Sequence, residues 1–522
     1  AYEVTCRDWI SDVCSSDLTA GHHPLDYGIF VKLNATWTPT LQERLRELGD
    51  IFFRPGFSWF SRTLYRLTLV GLFLIGFFQW GDFLNWGKPP FDLGDWYDIT
   101  GPRLGFQQEA MQTGKLPLHV DSPTGMKGAT DRFLAIPDLI LSPQVLLLNW
   151  FSVGTFSLIH VLLLYSAGYV GLLLLQRKWR LSLAVFIPLF WLFNFNGHIT
   201  AHLSVGHLTW AGYFLLPYFL LWMFEWYEKP VGWRWVAQVS GWMLIIFLQG
   251  SYHLFVWCLL LLGLAGLFQP RRLKAALLAG AFSVGLCLFR ILPAALVATD
   301  LKIGFLSGFP TLLDVFKGLL VLIEPAQALQ TRTLLTQLVA WWEFDHYLGL
   351  LGTLFVFGLG AWGVWRWRAS LPGRYVSLLA PLAALALLSI GRLYNLFFVL
   401  RIPLFTGERV SARLLIVPLV FGMALAALAA QRWLDAGTLP RWIRPLAPIL
   451  LLLLINDLEQ HRELWKVTHL DTLFPPTAAP QVLHVANHAD APYLALLIVG
   501  LVLSLATAGW LTYQLRRRTT RP

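Results

Sequence analysis

Three acids lie close together in "FDLGDWYDIT", which holds Asp92, Asp95 and Asp98. Carboxylates at this spacing can take a proton from a reacting group or hold a divalent cation through their oxygens. The segment is flanked by apolar runs, and because lipid penalises charge heavily, these acids must lie in an aqueous loop. Solvated acids at the start of a helix are the plain alternative, and we assign Asp92 to it.

Three histidines follow in "NGHITAHLSVGH". His198 and His202 are four residues apart, which places both on one face of a helix, as a metal-binding pair requires. A third ligand is not evident and no "HExxH" pattern accompanies them, so zinc is not expected here. Contact with a phosphate or orientation of an acceptor by His202 or His207 is the functional interpretation. Capping of a short interfacial helix by polar side chains is the alternative.

Composition decides what kind of structure must position these groups. Hydrophobic residues make up 56% of the chain and charged residues 13%, and there are 25 tryptophans. A water-soluble core cannot bury that much apolar surface, so a membrane protein is expected. The net charge of +10 arises from short clusters between apolar runs, such as "RKWR" at 177–180 and "RRLK" at 271–274. Such clusters are typical of cytoplasmic loops and argue against a nucleic-acid partner.

Apolar runs long enough to cross a bilayer predict an all-α polytopic fold. With a window of about 20 residues, the sequence predicts about twelve transmembrane helices. They are expected near 64–84, 152–175, 181–197, 208–226, 235–250, 251–268, 275–297, 347–365, 375–391, 409–431, 443–456 and 492–515.

The distribution of Lys and Arg predicts the orientation. If the N-terminus lies inside, every strong basic cluster falls on the cytoplasmic side. These clusters are Arg177/Lys178/Arg180, Arg271/Arg272/Lys274, Arg366/Arg368/Arg374, Arg432/Arg441/Arg444 and Arg516/Arg517/Arg518. The acidic segment then faces outward in a long loop over 85–149, and we expect a bacterial inner membrane with this loop in the periplasm or exterior.

The expected domain order is simple. Residues 1–18 contain "CRDWISDVCSSDL", which resembles a translated sequencing-adapter fragment, and we expect them to be a non-native leader. Residues 19–62 form a cytoplasmic segment, 63–516 the transmembrane domain with its outer loop 85–149, and 517–522 a cytoplasmic tail. Cys258 and Cys287 lie in apolar runs and are expected to pack without a disulfide.

The outer loop has structure of its own. "GPRLGFQQEAMQTGK" predicts a helix that lies along the membrane surface, beginning after Pro102 and ending at Gly114. "IPDLILSPQVLLLNW" predicts an apolar hairpin or short helix broken by Pro137 and Pro143.

Outer arginines form a further candidate group. Arg392, Arg409 and Arg413 depart from the preference of basic residues for the inside, so they need an outside partner, either an anionic ligand or Glu408 and lipid headgroups. Arg401 lies midway in "LYNLFFVLRIPLFTG", read as a re-entrant hairpin that brings these cations together.

The arrangement resembles the GT-C superfamily of integral-membrane glycosyltransferases. The matching features are an outer loop directly after the first span that opens with Asp95–Trp96, "GKLP" at 114–117, "FNFNGH" at 193–198 and "YLGL" at 347–350. This resemblance implies transfer of a sugar from a polyprenyl-phosphate carrier to a lipid, glycan or protein acceptor at the outer face. It also implies an acid of the first outer loop as base or metal ligand.

The resemblance implies roles for particular residues. Asp95 is the expected catalytic base, with Asp98 second, and the two are also the candidate ligands of a divalent cation, Mg²⁺ or Mn²⁺. The expected substrate-binding residues are Arg103, Lys115, His202, His207, Glu343, Arg392 and Arg409. Glu343, with Asp345 and His346 in "WWEFDHYLGL", suits recognition of sugar hydroxyls, whereas the neighbouring tryptophans are equally explained as interfacial anchors.

Two other function classes remain open. A secondary transporter or flippase would place ionisable residues near the membrane midplane between repeated halves, and no internal repeat is evident. A polymerase or ligase of lipid-linked glycans would share the outer site but should have a larger late outer loop than 457–491. No nucleotide-binding glycine-rich loop is present in the sequence.

Overall fold

The computed structural model describes residues 51–53, 59–88, 94–123, 130–136, 138–297, 307–331, 337–369, 371, 375–402, 405, 408–437, 443–473 and 481–519. The expected leader and almost all of the N-terminal segment 19–62 therefore lie outside the described residues, as does Asp92.

Helices dominate the described chain, as predicted. The first ten are α1 (Trp59–Phe83), α2 (Gly101–Thr113), α3 (Val153–Trp179), α4 (Leu183–Phe195), α5 (Gly197–Ser204), α6 (Leu216–Glu228), α7 (Trp233–Leu248), α8 (Tyr252–Phe268), α9 (Leu273–Leu286) and α10 (Leu288–Ala295). The later ones are α11 (Leu312–Leu320), α12 (Gly349–Thr353), α13 (Val364–Arg366), α14 (Leu379–Leu388), α15 (Gly391–Val399), α16 (Ile416–Asp435), α17 (Ile443–Leu464), α18 (Val467–Leu473) and α19 (Ala491–Thr519).

Shorter elements connect them. Single-turn and 3-10 segments occur at Asn85–Gly87, Phe133–Ala135, Leu139–Leu141, Pro143–Asn149, Leu208–Leu215, Pro270–Arg272, Trp341–Glu343, Tyr375–Leu378 and Ser411–Leu415, and π-helical turns at Trp96–Thr100 and Leu354–Gly363. Within the described residues, β1 (Ala328–Thr331) and β2 (Gln337–Ala340) form one antiparallel pair, with Ala328 opposite Ala340.

The number of spans is smaller than predicted. By length and apolar composition, six helices of the described chain can cross a membrane, or seven if the bent pair α9 and α10 counts as one span. The six are Ser61–Phe83, Val153–Trp179, Leu183–Ser204, Gly349–Arg366, Ser411–Asp435 and Ala491–Arg517, and each coincides with a predicted span. The expectation of twelve was therefore wrong.

Length, bending or charge explains why each of the other six predicted spans is not a single helix that can cross a membrane. At 1.5 Å per residue, the 16 residues of α7 reach about 24 Å, short of the roughly 30 Å hydrocarbon core. Helix α8 and the 375–388 helix are also short, and 208–226 divides into a 3-10 segment followed by α6. The helices α9 and α10 meet at 71°, and α17 carries charged residues in its second half.

The basic loops meet at one end of the helices. Four of the loops between helices touch one another there through polar and aromatic side chains. The contacts are Lys178 with Glu228 (2.7 Å), Tyr375 with Glu228, Gln269 with Ser377 (2.8 Å), and Arg272 over the ring of Trp226. These contacts group the loops of three of the five predicted basic clusters, while a common side for all five and the side that they face stay predictions.

The helices differ in how much neighbouring protein covers them. The span that contains α16 has 94% of its apolar window buried and forms the centre of the core, whereas α1 has 22% and α19 17%. Cys258 and Cys287 are buried in this core as free thiols, which confirms their predicted packing role.

The predicted outer-loop helix is present as α2. Leu104, Phe106 and Ala110 are buried, and the helix ends at Gly114 in the left-handed conformation with φ of 66°. The apolar stretch at 136–150, predicted as a hairpin or a short helix broken by prolines, forms 3-10 turns at Leu139–Leu141 and Pro143–Asn149. Whether α2 lies along a membrane surface stays a prediction.

Candidate functional site

The segment that carries Asp95 docks on the loop after α5. The Asp95 amide donates to the carbonyl of Val205 at 2.9 Å, and the indole of Trp96 donates to the carbonyl of Ser204 at 3.0 Å. The hydroxyl of Thr100 donates to the carbonyl of Gly206 at 2.7 Å. Three hydrogen bonds therefore fix the Asp95 segment against the histidine-bearing segment, although more than one hundred residues separate them along the chain.

Gly206 makes this docking possible. Its φ is 92°, a left-handed value that favours glycine, and a Cβ there would lie 2.1 Å from the amide nitrogen of Trp96. The loop that holds Asp95 can approach so closely only because residue 206 has no side chain.

Asp95 and two histidines form a polar chain. Oδ2 of Asp95 lies 2.9 Å from Nε2 of His207, and Nδ1 of His207 lies 2.7 Å from Nδ1 of His202. If His207 is neutral and donates to Asp95, its Nδ1 accepts the proton of His202; if His207 is charged, His202 accepts. The Asp95 side chain keeps 29% of its surface exposed, so the chain runs from solvent into the protein.

Trp210 organises the inner side of this chain. His202 stacks on Trp210 with ring centroids 4.7 Å apart, and His253 stacks on it at 5.3 Å with an interplanar angle of 5°. The guanidinium of Arg413 also lies over this indole, 5.3 Å from the ring centre. One tryptophan thus holds two imidazoles and a cation in fixed positions.

Arg413 forms an ion pair with Glu343. Its Nε and one terminal nitrogen donate to the two carboxylate oxygens of Glu343, a bidentate ion pair in which each side chain is about nine-tenths covered. The charge of Asp95 also acts on Arg413. The site therefore combines a partly exposed carboxylate with a nearby, rigidly held cation.

Glu408 is a further carboxylate of this site, and it pairs with His253 rather than with Arg413. Its side chain is 2% exposed and accepts from Nδ1 of His253 at 2.7 Å, from the indole of Trp257 at 3.2 Å and from the Val410 amide at 2.9 Å. Burial alone would raise the pKa of Glu408, but the interactions with His253, Arg413 and the Val410 amide outweigh it and hold the pKa below 4.5.

Two further imidazoles pack behind His202 in apolar surroundings. The His198 ring lies 4.6 Å from His202 and 5.1 Å from His346, and neither of its nitrogens has a hydrogen-bond partner. Burial lowers the pKa of His346 to about 4. These two rings pack against the inner end of the Asp95–His207–His202 chain.

A second buried network lies around Asp345. One of its oxygens, Oδ2, receives Nε2 of His461 at 2.9 Å and the indole of Trp465 at 2.9 Å, while Oδ1 accepts from the Tyr347 amide at 3.0 Å. Asp345 is 1% exposed and His461 is fully buried, so this network ties α17 to the loop before α12. Its burial suits a structural role.

The other predicted site residues differ in their exposure. Asp98 is exposed, and Lys115, Arg392 and Arg409 are also exposed. Arg103 pairs with Asp138 at 3.0 Å, both being nearly buried. In the described part of the chain, neither Asp95 nor Asp98 belongs to a group of three or more possible metal ligands.

A groove of about 330 Å³ opens beside the Asp95 segment. Its lining includes Trp96 and Tyr97, Phe106 and Glu109 of α2, and Leu483. Its volume suits a ligand of modest size, and its aromatic and acidic lining offers apolar contact together with hydrogen-bond acceptors.

Sequence reasoning missed several residues of this site. The sequence did not predict Trp210, His253 or Glu408 as site residues, and Glu408 was expected only as an alternative partner for arginines. Arg413 was noted as an outer cation, but its pairing with Glu343 was not foreseen. A signal existed: His253, Trp257 and Trp210 are polar or indole-bearing residues inside otherwise apolar segments.

Comparisons of the chain with protein-family models, with curated proteins and with solved structures found no match.

Proposed function

We propose that the protein is a GT-C type glycosyltransferase that transfers a sugar from a polyprenyl-phosphate carrier to an acceptor at the outer face of the membrane. The observation that supports this proposal best is the Asp95–His207 contact of 2.9 Å, with Arg413 held within electrostatic reach of Asp95. Glycosyl transfer needs a base for the acceptor hydroxyl and positive charge near the leaving phosphate, and both kinds of group converge here.

The proposed base is the Asp95–His207 pair. A carboxylate that holds a histidine by one ring nitrogen fixes the tautomer and orientation of that ring, and in this pair the carboxylate of Asp95 is the group that takes the acceptor proton. His202 contacts His207 on its other side and keeps the imidazole from rotating. The exposed edge of Asp95 is the part of this pair that an acceptor hydroxyl can approach.

The proposed phosphate contacts come from a different set. Because Arg413 is paired with Glu343, it contributes a positive electrostatic potential to the site rather than a direct contact with the phosphate. We assign binding of the carrier phosphate to Arg392 and Arg409, which are exposed. The groove beside Trp96 and Tyr97 is the proposed seat of the sugar or the acceptor, since aromatic faces and the Glu109 carboxylate suit a polyhydroxylated ring. A divalent cation at Asp95 and Asp98 remains part of the proposal.

A transfer assay tests the function directly. Purified protein in lipid nanodiscs is given a mixture of polyprenyl-phosphate sugars and membrane-extracted acceptors, and the fate of the sugar is followed by mass spectrometry. Loss of sugar from the carrier with gain on an acceptor, absent from Asp95→Asn protein, supports the proposal.

The same protein is reconstituted in sealed vesicles. Movement of a lipid-linked or small solute across these vesicles without any transfer would replace the proposal with the transporter or flippase alternative.

A further inference from the structure

Three extended segments of the outer region pair side by side, away from the Asp95 network. Residues 116–121 lie between 130–133 and 481–488, and the last of these segments leads into α19. The backbone hydrogen bonds are Val120 to Asp131 (2.9 Å), Phe133 to Leu118 (2.9 Å), Asp121 to His484 (2.9 Å) and Ala486 to His119 (3.1 Å). Two parts of the chain that are far apart in sequence are thereby held in register.

Side chains of all three segments converge on one point. His119, Asp131 and His488 each offer one ligand atom, and these atoms lie within 4.8 Å of one another. Nε2 of His488 is 2.7 Å from Oδ2 of Asp131, and the two imidazole rings have centroids 4.0 Å apart. Two imidazoles and a carboxylate form a donor set that proteins use for divalent transition metals.

His119 is not explained by the protein groups around it. Its side chain is fully buried, and neither ring nitrogen has a hydrogen-bond partner. A buried imidazole without hydrogen bonds costs free energy, because it has lost its hydrogen bonds to water, and the contact of His119 with Asp490, at 3.5 Å, is too long to replace them. The His488–Asp131 pair alone would leave this cost uncompensated, whereas a cation bound by His119 would remove it.

Asp490 completes the surroundings. Its Oδ2 lies 3.5 Å from Nε2 of His119 and receives Nε of Arg132 at 2.6 Å. Metal-binding histidines commonly direct their second ring nitrogen to a carboxylate, which fixes the ring. Asp490 is placed for that role, and Arg132 in turn holds Asp490.

We propose that His119, Asp131 and His488 bind a divalent transition cation of the zinc type, which joins the outer loop to the segment before α19. Two imidazole nitrogens favour such a cation over Mg²⁺ or Ca²⁺, which prefer oxygen ligands. His488 and Asp131 are 53% and 37% exposed, so solvent can supply a further ligand. This site does not depend on the proposed glycosyl transfer, since it contains none of the residues assigned to that reaction.

Zinc content and affinity test the site in the full chain. The protein is produced without a histidine tag and with Cys6→Ser and Cys14→Ser in every variant, so that thiols outside the described residues cannot contribute. Metal analysis of the purified protein, followed by chelation and calorimetric titration with zinc chloride, should give about one tight site per chain. Asp131→Asn and His488→Ala should each weaken zinc binding at least about tenfold.

His484→Ala is the matched control. His484 lies four residues before His488 on the same segment, is 60% exposed and pairs with Glu109, outside the cluster. It should retain the parent affinity. His119→Ala is a further variant, and if it does not fold, the two exposed positions carry the test. Absence of zinc binding in the parent chain, or equal loss in His484→Ala, would overturn the proposal.

Discussion

Nδ1 of His202 and Nδ1 of His207 lie 2.7 Å apart, so one ring must donate the proton that the other accepts. The far side of His207 contacts Asp95, and the far nitrogen of His202 is buried without a partner. A proton can therefore be gained or lost readily only at the Asp95 end. The Asp95–His207–His202 chain is therefore open to solvent at Asp95 and closed at His202.

Asp95→Asn should abolish most sugar transfer while leaving the fold intact. The amide keeps the size of the side chain but cannot take a proton, and loss of a general base typically lowers the rate about a hundred- to ten-thousand-fold. Asp98→Asn is the matched control, because Asp98 is exposed and three residues away. It should cost less. Initial rates of transfer, with melting temperature measured in parallel, decide the ordering. Near-normal transfer by Asp95→Asn would contradict the proposed base.

Gly206→Ala should disturb the same site through the backbone. The new Cβ would meet the Trp96 amide at 2.1 Å and push the Asp95 segment away from His207. Gly114→Ala is the control, since Gly114 also has a left-handed φ but nothing lies within 4 Å of its Cβ position. Both variants carry the backbone strain, and only Gly206→Ala carries the clash. Transfer rates that fall equally in both would show that docking of the loop is not what Gly206 provides.

Arg413→Ala should destabilise the protein strongly. Removal of the cation leaves Glu343 nearly buried and uncompensated, a change that costs about 3–5 kcal/mol. The double change Arg413→Met with Glu343→Leu should recover much of the loss, since it removes both charges. Lys229→Ala breaks an exposed pair with Glu225 and should cost no more than about 1 kcal/mol. Denaturant or thermal unfolding in one detergent compares all four proteins.

Glu408 should make stability depend on pH in the acid range. Its pKa in the folded protein lies below 4.5, mainly because His253 and Arg413 outweigh the cost of burial. The unfolded chain therefore takes up this proton first, so the stabilisation is present above about pH 4.5 and is lost as the pH falls through the folded pKa. Glu408→Gln should lower stability at neutral pH by about 1–3 kcal/mol and flatten the acid dependence. The exposed Glu324→Gln should do neither.

Impermeant labelling tests the predicted orientation. In a background with Cys6→Ser and Cys14→Ser, Lys115→Cys should react with a membrane-impermeant maleimide on intact cells, and Ala436→Cys should react only after permeabilisation. Both positions are exposed, so accessibility of the side chain does not distinguish them. The reverse pattern would overturn the orientation and with it the outer location of Asp95.

Sequence reasoning located the long, uniformly apolar helices and overcounted the rest. Val153–Trp179 and Ser411–Asp435 stand out because nearly every residue is apolar. A hydropathy window cannot separate such spans from helices that are apolar because other helices cover them. Trp233–Leu248 is an example, since it is too short to cross yet buries Trp235 and Met243. Only packing, which the sequence does not state, tells the two apart.

The site was predicted in part for a similar reason. Asp95 and His207 were each recognised by residue type and by their place in outer loops, but nothing in the sequence pairs them. Their contact depends on Gly206, whose missing side chain matters only once the two segments are docked. The pairing of Glu343 with Arg413 likewise depends on tertiary structure. From the sequence, Glu343 was expected to bind sugar hydroxyls, and Arg413 an anionic ligand, Glu408 or lipid headgroups.

The pairing of Val120 with Val485 also constrains the order in which the protein can be assembled. During synthesis the segment 116–121 emerges early, whereas the segment 481–488, which pairs with it, is made only after most of the helices. Until then the edge formed by 116–121 has unpaired backbone groups and could pair with another chain. Pairing of the segment before α19 with this edge is therefore a late step of assembly. If synthesis stalls before that segment is made, the edge stays unpaired and needs a protecting partner for longer.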